Sequence, residues 1–184
     1  MNLKDLMIDR SWTLFLDRDG VINTRIVDGY VKTWDQFEFL PGVLDAMKRF
    51  HEIFGRIIVV SNQQGIGKGL MSDEDVKAVN DQMLDEVRKA GGKVDAVYYA
   101  PHLKSEGSIM RKPNVGMALK ARREFPGIHF NQSVMAGDSI SDLIFGKRTG
   151  MKTVLISLNS DLAKKYPRQV DFQFPDLISL AYAL

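Results

Sequence analysis

A chain of 184 residues with a net charge of +2, 45% hydrophobic and 26% charged residues is sized and balanced for one globular domain, taken as residues 1–184. The absence of cysteine excludes disulfides and thiolate metal sites, and it fits a reducing compartment. No dense basic run marks a nucleic-acid surface, and no apolar run approaches membrane-spanning length.

The first ten residues carry charges where a secretory leader needs an apolar core, so the expected compartment is the cytoplasm. A strand near 13–17 follows, then an irregular stretch through Thr33. Pro41 opens a predicted helix to about His51, with Val43, Leu44, Met47 and Phe50 on one face. Four consecutive β-branched residues, Ile57-Ile58-Val59-Val60, give a strand over 56–61 buried on both faces, as in a parallel sheet. The glycines at 65, 67 and 69 lack the spacing of a phosphate loop and read as a flexible rim, with Lys68 solvated. Ser72-Asp73-Glu74-Asp75 offers a capping box for a helix to about Ala90, closed by Gly91-Gly92. A strand 94–99, a loop 101–112, a helix 114–125, a strand 133–137, a short helix 140–148 and a strand 152–157 complete the alternation. The tail from Asp161 is less legible and ends in a predicted helix 175–184. Alternating strands and helices predict an α/β fold, a doubly wound, Rossmann-like parallel sheet in a three-layer sandwich. No insertion is large enough for a separate cap.

The chemistry is concentrated at strand ends. Leu14-Phe15-Leu16 delivers two carboxylates, Asp17 and Asp19, and Gly20 lets the chain turn sharply. Acids so close repel unless a hard cation, a shared proton or both intervene. An Asp/Gly turn alone accounts for such a run equally well. Three further segments weigh against that plain turn: Ser61-Asn62 at the end of the second strand, Arg111-Lys112-Pro113 in a loop, and Gly137-Asp138 with Asp142 four residues on. In open α/β sheets ligands bind beyond the carboxyl ends of the strands, so these groups should face one crevice. Acids, a lysine and a hydroxyl around one point form a phosphoryl-transfer constellation.

At these residues the chain resembles the haloacid dehalogenase superfamily. The finer likeness, in Asp17-Arg18-Asp19-Gly20, Ser61-Asn62-Gln63, Arg111-Lys112-Pro113 and Gly116-Met117, is to its heptose 1,7-bisphosphate and histidinol-phosphate phosphatases. The resemblance implies a magnesium-dependent phosphatase for a small phosphorylated metabolite, a heptose bisphosphate first and histidinol phosphate second. It makes Asp17 the nucleophile that forms an aspartyl-phosphate and Asp19 the general acid and base. Asp17, the main-chain carbonyl of Asp19 and Asp138 become the Mg2+ ligands. Ser61 and Lys112 bind the transferring phosphoryl group, and Asn62, Gln63 and Arg111 touch the substrate. Asp142 either supports the metal or Lys112, or caps the following helix. No nucleic-acid or membrane partner is implied, and a monomer is expected. A non-catalytic phosphate-binding module on the same fold stays open as an alternative. A polynucleotide 3′-phosphatase is disfavoured by the lack of a basic, aromatic surface.

One departure stands out. Much of the resembled subgroup carries a Cys/His zinc site in the loop before Arg-Lys-Pro. Here Ala100 to Met110 contains no cysteine, and only His102 and the weak donor Glu106 offer ligands. Four donors make a structural zinc site, so this loop should work without zinc. His51 and His129 read as structural or exposed.

Overall fold

The apolar runs that end in polar residues become neighbouring strands of one sheet, and the pattern of burial follows from their position in it. The computed structural model describes residues 3–184. Its strands are β1 (Thr13–Leu16), β2 (Arg56–Asn62), β3 (Ala96–Ala100), β4 (Ser133–Gly137), β5 (Lys152–Ile156) and β6 (Phe172–Phe174). All pair in parallel, in the order β3-β2-β1-β4-β5-β6. The helices are α1 (Val43–Ile53), α2 (Gln64–Gly67), α3 (Asp73–Lys89), α4 (Gly116–Glu124), α5 (Ile140–Thr149), α6 (Asp161–Lys165) and α7 (Leu177–Ala183).

Strand alternation sorts the core into two layers. Leu14, Leu16, Ile57, Val59, Val134 and Ala136 pack with Met47 and Phe50 of α1, Met83 of α3 and Leu180 of α7. Phe15, Ile58, Val60 and Met135 face the other way, against Met117 and Ala121 of α4 and Phe145 of α5. Central β1 is buried on both faces, which is the condition that demands an uninterrupted apolar run. The expected three-layer, doubly wound sheet is therefore present. Among the described residues, no helix is long and apolar enough to cross a membrane.

Boundaries moved where glycine or turn hydrogen bonds intervene. Helix α1 begins at Val43 rather than Pro41, because Gly42 adopts φ +73° and cannot be the helix's first turn. The Ser72 hydroxyl accepts from Asp75 N at 3.1 Å while the Asp75 carboxylate accepts from Ser72 N at 2.8 Å, so the capping box forms and α3 starts where the sequence placed it. The helix after Arg-Lys-Pro starts later, at Gly116, because Asn114 N donates to Arg111 O at 2.8 Å and closes a turn first. The glycine-rich rim is not a loose loop. Residues 64–67 make one helical turn, α2, with Gly65 buried. Lys68 is exposed, yet its ammonium lies 5.4 Å from the Tyr30 ring centroid on the cavity wall rather than free in solvent. In the tail, α6 and the three-residue edge strand β6 were not foreseen.

Candidate active site

Strand order reverses between β1 and β4, and at that switch point the loops after the two strands part to leave a crevice. A cavity of about 600 Å³ opens there, lined by Asp17, Asp19, Ser61, Asn62, Arg111, Lys112 and Asp142 among others. Asp17 continues β1, its N–H donating to Ala136 O of β4 at 3.0 Å.

Lys112 is the electrostatic hub. Its ammonium is buried and lies 2.9 Å from Asp17 Oδ1 and 2.6 Å from Asp142 Oδ1, and it donates to Val60 O at 2.7 Å. Burial opposes its charge, but Asp142 and Asp17 more than compensate and hold its pKa above the ordinary lysine value. Asn62 fixes the lysine's backbone, donating to Lys112 O at 3.1 Å and accepting from Lys112 N at 3.0 Å. Asp142 does both of the things open to it. One oxygen pairs with Lys112, and the other accepts from Ser139 N at 3.1 Å and Ser139 Oγ at 2.6 Å to cap α5. Neighbouring carboxylates raise the cost of ionising Asp17 and Asp138. Burial and the Asp142 charge push Asp17 up to about 7 despite Lys112, and burial pushes Asp138 up to about 6 despite Arg25.

Gln63, expected to touch substrate, is bonded within the protein. It is buried, and its amide nitrogen is spent on Asp19 Oδ2 at 2.7 Å and Ser61 Oγ at 2.8 Å. It positions those two groups from beneath. Burial pushes the Asp19 carboxyl up, but the Arg18 guanidinium and bonds from Asn23, Arg18 and Gln63 carry it below the usual carboxylate range. Arg18 donates to both Asp19 oxygens at 3.0 Å and to Asn80 Oδ1 at 3.0 Å. Only its place between two aspartates marks this buried arginine in the sequence.

The donors present fit a hard divalent cation. Ligand oxygens of Asp17, Asp138 and Asp142 lie within 4.8 Å of one another. Asp142 is already committed to Lys112 and Ser139, which leaves Asp17, Asp138 and the neighbouring Asp19 carbonyl, all oxygen donors suited to magnesium. Room for this cradle depends on Gly20: at φ +92° it has no side chain, and a Cβ there would sit 2.1 Å from Asp138 Oδ2. Gly137 is needed in the same way, since its Cβ would meet Asp142 Cβ at 2.2 Å.

The residues missed from sequence are mostly cationic. Arg25 donates to the Asp19 carbonyl at 3.0 Å and Asp138 Oδ1 at 2.8 Å, and Lys68 and Tyr30 share the cavity wall with Arg111. Arg25 and Tyr30 come from the irregular stretch after β1, where no periodicity marks which side chains turn inward. Arg111 itself also donates to His102 O at 3.4 Å, and Arg148 reaches Pro113 O and Asn114 Oδ1 at 3.1 Å each. The loop 101–112 is held by neighbouring side chains, with Lys104 N donating to Gln64 Oε1 at 2.9 Å and Asn62 bonded to both backbone groups of Lys112.

The chain as a whole is similar to known proteins. A family model described as HAD-hydrolase-like matches residues 109–180. The chain is 42% identical over 132 residues to the D-glycero-alpha-D-manno-heptose-1,7-bisphosphate 7-phosphatase of Mycobacterium bovis, covering 72% of this chain and 70% of that protein. It is 32% identical over 174 residues to the D-glycero-beta-D-manno-heptose-1,7-bisphosphate 7-phosphatase of Pasteurella multocida, covering 91% and 93%. The crystal structure of D,D-heptose 1,7-bisphosphate phosphatase from B. bronchiseptica, complexed with magnesium and phosphate, superposes with a TM-score of 0.82 at 29% identity, over 93% of this chain and 96% of that one.

Proposed function

This chain belongs to the heptose-bisphosphate phosphatase family of haloacid dehalogenase-like hydrolases, and from that premise we propose that it removes the 7-phosphate of a D-glycero-D-manno-heptose 1,7-bisphosphate. The observation that carries the substrate is a pair of cationic arms, Arg111 and Lys68, on the wall of the cavity that holds Asp17. A monoester needs only the groups around Lys112. A bisphosphate also needs positive charge further out. Histidinol phosphate, the second candidate, carries an ammonium where those arms stand and is repelled by them. A non-catalytic module is disfavoured because Asp17, Asp19 and Lys112 are all present at one cavity, with Asp138 within 4.8 Å of Asp17.

In this mechanism Asp17 attacks phosphorus, the bond to its carboxylate forming as the ester P–O bond breaks. Lys112 and Ser61 hold the phosphoryl oxygens as charge spreads over them. Asp19 gives a proton to the leaving alkoxide, then takes one from the water that opens the aspartyl-phosphate. Held by Arg18, Asp19 is a carboxylate, the form that the second step requires. The first step requires the protonated form. Magnesium, which Asp17, Asp138 and the Asp19 carbonyl would hold, supplies the positive charge that lets carboxylate and phosphoryl oxygens meet. Phosphate release should stop on chelation and return with magnesium. Calcium should not restore it, because its looser coordination leaves the nucleophile misplaced.

Metal and protons compete for the same acids, which gives a pH dependence with a definite sign. A carboxyl raised from 3.8 to about 7 at Asp17, and to about 6 at Asp138, binds its proton more tightly folded than unfolded. The metal-free protein is therefore stabilised by these groups at low pH and loses that stability as pH rises towards 7. The rise in Tm caused by saturating magnesium should be larger at pH 8 than at pH 5. An increment independent of pH contradicts the assignment of these acids to the metal.

Turnover of both heptose 1,7-bisphosphate anomers, histidinol phosphate and p-nitrophenyl phosphate tests the substrate. A heptose bisphosphate should lead by about 10²-fold or more in kcat/KM, since contacts remote from the reacting atom lower its barrier. Arg111→Ala should erase most of that lead and spare the aryl phosphate. Equal losses on both substrates would remove the second-phosphate role.

A further inference from the structure

The donor set assigned to the metal is already in contact with a cation of the chain's own. Arg25 Nη2 lies 2.8 Å from Asp138 Oδ1 and 3.0 Å from the Asp19 carbonyl oxygen, and both acceptors belong to the three-donor set proposed for magnesium. The contact is built from parts far apart in sequence, joining the irregular stretch after β1 to the loop after β4. Gly20 is what allows it, since its missing side chain leaves Asp138 open to the Arg25 side, with Arg25 Nε 3.5 Å from where a Cβ would stand. The arginine side chain is 49% exposed, against 18% for Asp138, so it can leave without unfolding anything. It also lies on the cavity wall, where Lys68 and Arg111 are the other long cationic arms.

A guanidinium and a divalent ion aimed at the same two oxygens compete for their lone pairs, and their charges repel. We propose that Arg25 is a displaceable counter-cation: it neutralises the acid cluster in the metal-free protein, leaves when magnesium enters, and then presents its guanidinium to the non-transferred phosphate of the substrate. This rests on the magnesium and bisphosphate assignments above. It adds an order to the events, with the metal first exposing a cationic arm that the substrate's far end then uses. A planar fork suits that second task, because it can pair with two phosphate oxygens at once.

The test measures magnesium binding by calorimetry on the full chain without substrate, and melting with and without the metal. Arg25→Gln should bind magnesium about threefold to tenfold tighter than the parent protein, the range expected for removing a partly exposed competing charge. Lys68→Gln, which removes a cavity-wall charge that touches neither oxygen, should leave the affinity nearly unchanged. Without metal, Arg25→Gln should melt below the parent because Asp138 loses its counter-charge. At saturating magnesium the two should melt together, whereas a merely structural arginine would leave the deficit at every metal concentration. At saturating magnesium Arg25→Gln should raise KM for the heptose bisphosphate several-fold and leave that for p-nitrophenyl phosphate unchanged. Equal or weaker magnesium affinity in Arg25→Gln overturns the exchange while leaving the metal assignment intact. An equal KM overturns the second role of the arm. Absence of magnesium binding in the parent protein overturns the metal assignment and the exchange together.

Discussion

Asp17→Asn should fold like the parent protein and release no measurable phosphate, a loss on the order of 10⁵–10⁶-fold if the carboxylate is the nucleophile. The amide is nearly isosteric, so the bond from Arg18 N to Asp17 Oδ1, 2.8 Å in the parent, can still form. Lys112 keeps Asp142 as a partner at 2.6 Å, so no buried charge is stranded. Removing one of three clustered carboxylates should even raise Tm in the metal-free protein, because burial and the neighbouring acids make Asp17 costly to ionise. The combination of full folding with no turnover separates a chemical role from a structural one. Circular dichroism, melting and phosphate release on one preparation check it, and turnover near the parent level would end Asp17's claim to be the nucleophile.

Lys112→Met should behave in the opposite way, losing stability as well as activity. The ammonium is buried between Asp17 and Asp142, and its removal leaves two enclosed carboxylates facing each other without a counter-charge. Breaking a buried ion pair by deleting one partner costs roughly 3–5 kcal/mol, a large part of the total stability of a domain this size. Adding Asp142→Asn should restore much of that loss, since an amide oxygen at this position can still accept the bonds from Ser139 N and Ser139 Oγ that cap α5. Activity should stay down by about 10²–10³-fold in the double variant, because the Lys112 charge no longer meets the charge developing on the phosphoryl oxygens. Denaturant melts and kcat/KM on the two variants check this. Recovery of activity together with stability would show that Lys112 acts only as a structural counter-ion.

The strands that carry the site were legible because burial on both faces leaves a local signature. Leu14 to Leu16, Ile57 to Val60 and Val134 to Ala136 are short apolar runs followed within two residues by Asp17, Ser61 and Asp138 of the site. Edge strand β6, three residues long and only partly buried, leaves no such run, and the short helix α6 before it has no buried residue to set a period. Capping was readable at Ser72, where side chains alone decide the start of α3. It was not at Gly42, whose left-handed backbone shortens α1 by two residues from its expected beginning at Pro41.

Within the site, residues at strand ends could be named from sequence, because chain direction fixes where they emerge. Partners that meet across the fold could not. Arg18 looks like an exposed charge between two acids, yet it is 1% exposed and paired with Asp19 and Asn80. Gln63 reads as a substrate contact, yet just past β2 it is buried and bonded to Asp19 and Ser61. Asp142 could not be divided between capping and pairing because its two oxygens do one each. Arg25 meets Asp138 across 113 positions of sequence, a distance at which no local pattern speaks.

A cavity that removes one particular phosphate from a bisphosphorylated sugar leaves a product that reports it directly. Each heptose 1,7-bisphosphate anomer, incubated with the enzyme and magnesium, is to be followed by ³¹P NMR. One inorganic phosphate should be released per sugar from the primary 7-position, with the anomeric 1-phosphate signal retained. Loss of the 1-phosphate, loss of both, or no release from either anomer would contradict it.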